Sequence, residues 1–313
     1  MFSLILVDYK SIEQSVEFVL QAQQNIVNGG VVNAVIVDNS PIPQDAFLQE
    51  KFGAPTETNM NGSSALLFDT ENGKIAYWYA NDNLGYAKGN NTGAKIADVL
   101  FDPEYYIISN NDVEFLQPLN GRDVQRIFED NPDVAVIGPR LEYPDGHNEG
   151  PFLELSPFHF LLGMYWSCGP IQFALREPAD RASGPCYCTC GCFFIAQRTR
   201  FCQVDGFDPN TFMYCEEQIL AERLKKEALT FYYCGEFSIH HNHIVTRNTT
   251  STQSDKWVKN SAEYYLEKYL SASRFMMCFF KISYRIFIIR RVVLAPIKKL
   301  IHWNDLKKKM GWK

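Results

Sequence analysis

Four polar clusters in this chain of 313 residues carry side chains able to do chemistry. The first is Asn110-Asn111-Asp112, which abruptly closes the apolar run Tyr105-Tyr106-Ile107-Ile108-Ser109. A carboxylate beside two carboxamides is an oxygen-rich set. Hard divalent cations take such ligands and keep phosphates and waters as the rest of their shell. The second is Asp38-Asn39-Ser40, closing the run Val31 to Val37. With Tyr9 at the end of the first run, it offers a nucleotide an aromatic face for the base and a carboxylate for a ring N–H or a ribose hydroxyl. An Asx turn is the competing use of Asp38. The third is Glu216-Glu217, at the start of a helical pattern, where acids also serve simply as partners of the helix dipole. The fourth is His240-His241-Asn242-His243, whose imidazoles suit a metal, a phosphate or a polar loop.

These clusters need a frame that brings strand ends together. Phe2 to Val7 reads as a buried strand, and Ser11 with Gln14 as a capping box for the helix that follows. Val31 to Val37 is the next strand, so the start is a right-handed βαβ unit. Residues 41–74 read as loops with one short helix, and Ile75 to Tyr79 as a strand. The stretch from Asn81 to Gly93 then leads into a helix over Ala94 to Leu100. Its glycines could let backbone approach a phosphate at a helix N-terminus, or could simply shape a helix entry. The spacing matches neither G-x-G-x-x-G nor G-x-x-x-x-G-K-[ST]. Alternating β and α segments through residue 140 predict a mostly parallel sheet, with ligands at its carboxyl edge.

Cys186, Cys188, Cys190 and Cys192 alternate along the chain. On a strand, residues two apart lie roughly 7 Å from one another, so four in a row cannot converge on a tetrahedral metal. They read as small buried hydrophobes on a strand leading into Phe193 to Ala196. The segment 141–185, rich in Pro, Gly and aromatics, reads as an irregular cover. Strand-like runs follow at Phe231 to Tyr233 and Phe237 to Ile239, and an amphipathic helix at Trp257 to Leu270.

Charge is unevenly spread. From Arg274 to Lys313 there are eleven Lys or Arg and one acid, Asp305, a balance of +10; against a whole-chain net of −6, residues 1–273 carry −16. An acidic body is a poor nucleic-acid binder. The run from Phe275 to Leu294, broken by Lys281, Arg285 and Arg290-Arg291, is interrupted too often to span a bilayer. It suits a helix lying in an anionic membrane interface, with Trp303, Trp312 and Lys307–Lys309 as further anchors. No export signal is evident at Met1 to Asp8, and nine cysteines then read as reduced thiols. The expectation is a cytoplasmic protein, peripheral on the inner face of the cell membrane.

Seven short motifs occur in order over about residues 2–245: Val37-Asp38-Asn39-Ser40; Asn83-Leu84-Gly85-Tyr86 with Gly89-Asn90-Asn91 and Gly93; Ser109-Asn110-Asn111-Asp112-Val113; Gly191-Cys192-Phe193-Phe194-Ile195; Val204-Asp205-Gly206-Phe207-Asp208; Cys215-Glu216-Glu217; and Ile239-His240-His241. In these the chain resembles the inverting nucleotide-sugar glycosyltransferases of family two, the rhamnosyltransferase-like branch, with a GT-A fold. The resemblance implies an α/β GT-A domain over residues 1–250; the charge and apolar pattern of the tail add a helical, basic, membrane-associating segment over 251–313. The resemblance implies a UDP-, dTDP- or GDP-sugar as donor and a glycan as acceptor, in cell-surface polysaccharide synthesis, and the basic tail suggests that the acceptor is a lipid-linked glycan. Tyr9, Asp38, Asn83, Gly85, Asn91, Asn110 and Asn111 fall at donor positions. Asp112 becomes the main protein ligand of Mg²⁺ or Mn²⁺, joined by His240 or, as its close rival, His241; His243 is unassigned. Asn110 stands where the family carries a first Asp. Glu217 matches the general base, with Glu for Asp, and Glu216 is the alternative. Competing readings are a sugar nucleotidyltransferase, which the glycine-free loop Asp8-Tyr9-Lys10 disfavours, and a non-catalytic scaffold at the membrane.

Overall fold

The computed structural model describes residues 1–60, 63–162, 176–242 and 252–289. The elements run β1 Phe2–Asp8, α1 Ile12–Asn25, β2 Ile26–Val27, β3 Val32–Asp38, α2 Asp45–Phe52, β4 Thr56–Met60, β5 Ser63–Thr70, β6 Gly73–Tyr79, α3 Gly85–Phe101, β7 Tyr105–Ser109, β8 Val113–Phe115, β9 Leu119–Asn120, α4 Gly121–Asp130, β10 Val134–Glu142, β11 Asn148–Glu149, α5 Pro157–Leu161, β12 Gly184–Cys186, β13 Phe193–Gln197, α6 Arg198–Gln203, α7 Glu216–Lys226, β14 Thr230–His241, α8 Thr252–Lys268 and α9 Arg274–Ile289.

The main sheet has the order β12-β14-β10-β13-β7-β1-β3-β6-β5-β4. β7, β1, β3 and β6 are parallel neighbours, and β10 pairs parallel with β14; β13 runs antiparallel between β7 and β10. Consequently the last residues of β1, β3, β7, β10 and β14 and the first residue of β13 share one rim. β1 and β3 are covered on both faces, as their continuous apolar runs require. Leu4, Leu6, Ala34 and Ile36 pack with Val16 and Val19 of α1, while Ile5, Val35 and Val37 pack with Ala94 and Ala97 of α3. Each Leu, Ile or Val among them contributes roughly 1.5–3 kcal/mol by leaving water.

The structure departs from the sequence reading in four places. First, α3 begins at Gly85, not Ala94, so Gly89 and Gly93 lie inside the helix. A Cβ on Gly89 would stand 2.7 Å from Val7 Cγ2, and one on Gly93 2.5 Å from Ile5 Cγ2. Those glycines let the helix lie close on the sheet rather than opening a loop to a ligand. Second, residues 41–74 hold the β4–β5 hairpin as well as the short α2. β4 reads Thr-Glu-Thr-Asn-Met and is largely exposed; pairing, not composition, makes it a strand. Third, the cysteine stretch is not one strand. β12 is an edge strand on β14, whereas β13 lies three places inward, beyond β14 and β10, so residues 187–192 must cross between them. Cys186, Cys188 and Cys192 are nonetheless buried. Fourth, the two short runs near residues 231 and 239 are one strand. Its register against β10 jumps from Pro139↔Cys234 to Arg140↔Ser238, so residues 235–237 bulge.

The chain forms two compact units, residues 1–154 with 176–261 and residues 155–175 with 262–313. The expected boundary at residue 250, His243, and the anchors Arg290, Arg291, Trp303, Trp312 and Lys307–Lys309 lie outside the described residues. Among the described residues, no helix is long and apolar enough to cross a membrane.

The close approach of α3 yields a direct test. Gly93→Ala must push Ile5 or Val37 aside in a buried layer, so it should lower stability by about 1–3 kcal/mol, read as a fall in the urea midpoint. An unchanged midpoint would show that the helix does not need a glycine there.

Candidate active site

At the end of β1, Asp8 is fully buried; at the end of β3, so is Asp38. Asp38 Oδ2 accepts from Tyr77 Oη at 2.5 Å and from Gln44 N at 3.1 Å, and Oδ1 from Ser40 N at 2.8 Å and Gln44 Nε2 at 3.4 Å. Its acceptor capacity is therefore filled from within the chain, and a base could use it only by displacing Gln44. Gln44 Nε2 also reaches Asp8 Oδ2 at 3.0 Å, so one amide bridges two buried carboxylates. Tyr9 beside them is 49% exposed, leaving its ring open to a planar ligand, with Lys10 Nζ 5.0 Å from the ring centre.

Asn83 Oδ1 accepts from Gly85 N at 3.0 Å and from Asn39 Nδ2 at 3.3 Å, tying the entry of α3 to the end of β3. Gly85 has φ +73°, and a Cβ there would lie 2.3 Å from Phe212 O, so only glycine fits. Six residues further along α3, Asn91 Nδ2 donates to Phe207 O at 2.8 Å and its Oδ1 accepts from Phe207 N at 3.0 Å. That amide bolts the turn Asp205–Asp208 to α3.

After β7 the chain turns through Asn110-Asn111-Asp112. Asn110 N donates to Cys192 O at 2.8 Å, and Asn111 Nδ2 donates to Ser11 Oγ and Ser15 Oγ at 2.9 and 2.8 Å. β8 then pairs antiparallel with the end of β14, setting Val113 opposite His241 and Glu114 opposite His240. Asn242 N donates to Asp112 O at 2.8 Å, closing the pairing. His241 Nε2 consequently lies 3.3 Å from Asp112 Oδ1. Strand alternation turns His240 the other way, 3.8 Å from Glu114 Oε2. His241, not the sequence-preferred His240, is the imidazole beside Asp112. Burial works against charge on His241, but the hydrogen bond and charge of Asp112 outweigh it, and the His241 pKa lies above its ordinary value.

Among the described residues, no group of three or more His, Cys, Asp or Glu side chains is arranged to hold a metal ion. Asp112 and His241 form a two-donor set, one hard oxygen and one imidazole, that could share a cation only if phosphate and water supplied its remaining positions.

The acid pair opens α7. The two residues before it, Tyr214 and Cys215, are non-glycine residues at φ +79° and +64°. Left-handed backbone at such residues costs of order 1–3 kcal/mol each and clusters at functional sites. The Tyr214 N–H donates to the Glu216 carboxylate. Glu216 is 5% exposed; burial first, and then the neighbouring charge of Glu217, push its pKa up to about 8. Burial also raises Glu217, while backbone N–H donors and the charge of Arg176 draw it part of the way back. Glu217 Oε1 accepts from Gly191 N at 2.8 Å, and Gly191 O accepts from Tyr86 Oη at 2.6 Å. A Cβ on Gly191 would lie 2.5 Å from Glu217 Oε1, so the glycine makes room for the acid. Gly191 N meets Glu217 while O of the next residue, Cys192, meets Asn110 N, so the acid pair and the Asp112 turn belong to one neighbourhood.

A rim that gathers Asp38, Asp112 with His241, and a strained acid pair can be set against known proteins. No protein-family model matches the chain. N-acetylglucosaminyl-diphospho-decaprenol L-rhamnosyltransferase of Mycobacterium tuberculosis is 30% identical over 176 residues, 51% of this chain and 56% of that protein. The low-salt glycan biosynthesis hexosyltransferase Agl10 of Haloferax volcanii is 26% identical over 259 residues, covering 80% of this chain and 71% of that protein. The chain thus spans little more than half the length of the first relative. GalNAc-T7, crystallised with UDP, GalNAc and Mn²⁺, superposes at a TM-score of 0.56 with 11% identity, covering 96% of this chain and 57% of that one. S. aureus TarS 1-349 with UDP-GlcNAc superposes at 0.50 with 14% identity, covering 92% and 72%. The chain has the GT-A glycosyltransferase fold. Together with the fold, the two homologues support the resemblance to the rhamnosyltransferase-like branch of family two.

On this GT-A sheet, several side chains of the rim escaped the sequence reading. Asp8, Ser15 and Tyr77 lie inside ordinary strand and helix patterns and Gln44 in a stretch read as loop, and they gain their partners only when strand ends meet. Gly191 and Tyr86 were visible as motif letters, but their hold on Glu217 was not.

The pKa of Glu216 sets a stability test. Its folded value of about 8 lies above the ordinary carboxyl value, so the folded state holds the proton more tightly. That contribution is complete below the unfolded pKa of about 4.3 and is lost as pH rises through about 8. Glu216→Gln, which keeps the neutral shape, should match wild type near about pH 5 and melt higher than wild type near about pH 9. A melting difference that does not grow with pH would contradict a buried, protonated Glu216.

Proposed function

We propose that the protein is an inverting glycosyltransferase that moves a sugar from a nucleotide diphosphate donor to a hydroxyl of a glycan or lipid-linked glycan. The arrangement that carries this reading is the Asp112–His241 pair at the carboxyl rim of a GT-A sheet, with Glu217 in the same neighbourhood. The homologues add a chemical direction. One is named for rhamnosyl transfer to a diphospho-decaprenol-linked sugar, and the other for hexosyl transfer in glycan biosynthesis.

In this reading Tyr9 stacks on the base, the Asp38–Gln44 network shapes its edge, and Asn83 and Gly85 line the donor. Asn91 acts by holding the Phe207 turn. Asn110 and Asn111 form the turn that presents Asp112. Glu217 takes the proton from the acceptor hydroxyl as that oxygen attacks the anomeric carbon, while the bond to the diphosphate breaks on the opposite side of that carbon. Burial raises the basicity of Glu217, and the N–H of Gly191 holds its carboxylate in place. Asp112 and His241 would hold Mg²⁺ or Mn²⁺, which supplies positive charge to the departing diphosphate. Glu217→Gln should cut kcat by about 10²–10⁴-fold while leaving nucleotide affinity near wild type. Retention of kcat would remove Glu217 as the base and leave Glu216 as the candidate.

A lipid-linked acceptor places the enzyme at a membrane surface, and α9 supports that partner. Phe275, Ile282, Ile286 and Ile289 are exposed at 80, 54, 37 and 59% and fall on one helical face. Arg274, Lys281 and Arg285 flank that face, and α9 contains no acid. An apolar stripe beside a basic one is the pattern of a helix lying in an anionic interface. The full chain should float with vesicles containing anionic lipid, and the double variant Phe275→Glu, Ile282→Glu should not. Equal flotation of both would remove α9 as the contact.

A further inference from the structure

Asp8, at the end of β1, is a fully buried carboxylate with no direct part in the chemistry above. Its Oδ1 accepts from Ser11 Oγ at 2.9 Å and from Ser15 Oγ at 2.6 Å. Its Oδ2 accepts from Ser11 N at 3.2 Å and from Gln44 Nε2 at 3.0 Å. An ionised carboxylate only accepts, so both serine protons are spent on it. Each hydroxyl then has only lone pairs left for any further partner. That partner is Asn111 Nδ2, which carries two hydrogens and lies 2.9 Å from Ser11 Oγ and 2.8 Å from Ser15 Oγ. The carboxylate thus dictates the direction of every bond in the relay and which edge of the Asn111 amide meets α1. Gln14 Nε2 donates to Asn111 O at 3.1 Å, so α1 grips both the side chain and the backbone of the residue preceding Asp112.

We propose that Asp8 is a positioning residue for the Asp112 ligand turn. It acts through Ser11, Ser15 and Asn111, so that affinity for a divalent cation and its nucleotide diphosphate depends on a carboxylate that touches neither. The proposal rests on the donor-site reading of Asp112. It extends to the protein's own scaffold a general property of metal sites, in which the groups that hold the ligands tune the affinity.

Asp8→Asn is nearly isosteric yet cannot satisfy the relay. With its amide nitrogen toward the serines, it leaves hydroxyl protons without an acceptor. Turned round, it sets N–H against the Ser11 N–H and the Gln44 amide. Adding Asn111→Asp gives the hydroxyl protons an acceptor from the other side and restores complementarity.

The test is calorimetric titration of Mn²⁺ with UDP, dTDP or GDP into full-length protein, at a temperature where circular dichroism shows every variant folded. Asp8→Asn should weaken Mn²⁺–nucleotide binding by about 10–100-fold, the range for groups that support metal ligands. Asp8→Asn with Asn111→Asp should recover most of that loss, as coupled partners do. If Asp8→Asn does not fold, Ser15→Ala, which removes one of the two acceptors, should weaken binding several-fold. A lowered melting point with unchanged affinity would overturn the proposal and leave Asp8 a purely structural group. A wild type that binds none of the three nucleotides with Mn²⁺ would instead overturn the donor-site reading beneath it.

Discussion

Asp112 and His241 are 129 positions apart in the chain and meet because three residues, Val113–Phe115, fold back as a strand on the end of β14. That pairing is the constraint on which the site rests. It chooses His241 over His240 by strand alternation and closes through the Asn242 bond to Asp112 O. The opposite charge of Asp112 then offsets the desolvation of the imidazole. Without the pairing, an Asp in a turn and a His on a strand would be ordinary polar residues.

The second half of the site rests on strain and close approach. Tyr214 and Cys215 hold left-handed backbone, which delivers the Tyr214 N–H to Glu216 and starts α7 at the acid pair. Two carboxyls side by side at a buried helix start cannot both ionise cheaply, so burial and mutual repulsion raise Glu216. Glu217, also raised by burial, is drawn back toward the anion by its own backbone, Gly191 N and Arg176. Environments that separate two neighbouring carboxyls are the pattern from which acid and base roles arise.

Many polar residues of the rim act on the chain itself. Asn91 spends both amide functions on Phe207, and Asp38 spends both oxygens on Ser40, Gln44 and Tyr77. Buried polar groups are costly unless paired, so such internal saturation holds the loops between strands and helices still. What such saturation leaves open are the rims of these networks, such as the exposed Tyr9 ring, rather than their centres.

The sequence by itself determined the alternating β and α order, the buried character of β1, β3 and β7, and the clustering of Asp38, Asn110–Asp112 and Glu216-Glu217 at element ends. Apolar period and polar punctuation are local properties, and they are written in neighbouring residues. The opening of α3 was misplaced because Gly89 and Gly93 look like loop residues until Ile5 and Val7 are seen beneath them. β4 was missed because a polar edge strand is defined by its partner. Only the tertiary structure decided which histidine stands by Asp112, which donors saturate Asp38, and how Asp8 reaches Asn111. Each of those depends on at least one contact between residues tens to more than a hundred positions apart, Asp112 with His241, Tyr77 with Asp38, Asn111 with Ser11 and Ser15, settled by strand register and by the direction of hydrogen bonds, and neither quantity is carried by any local stretch of chain.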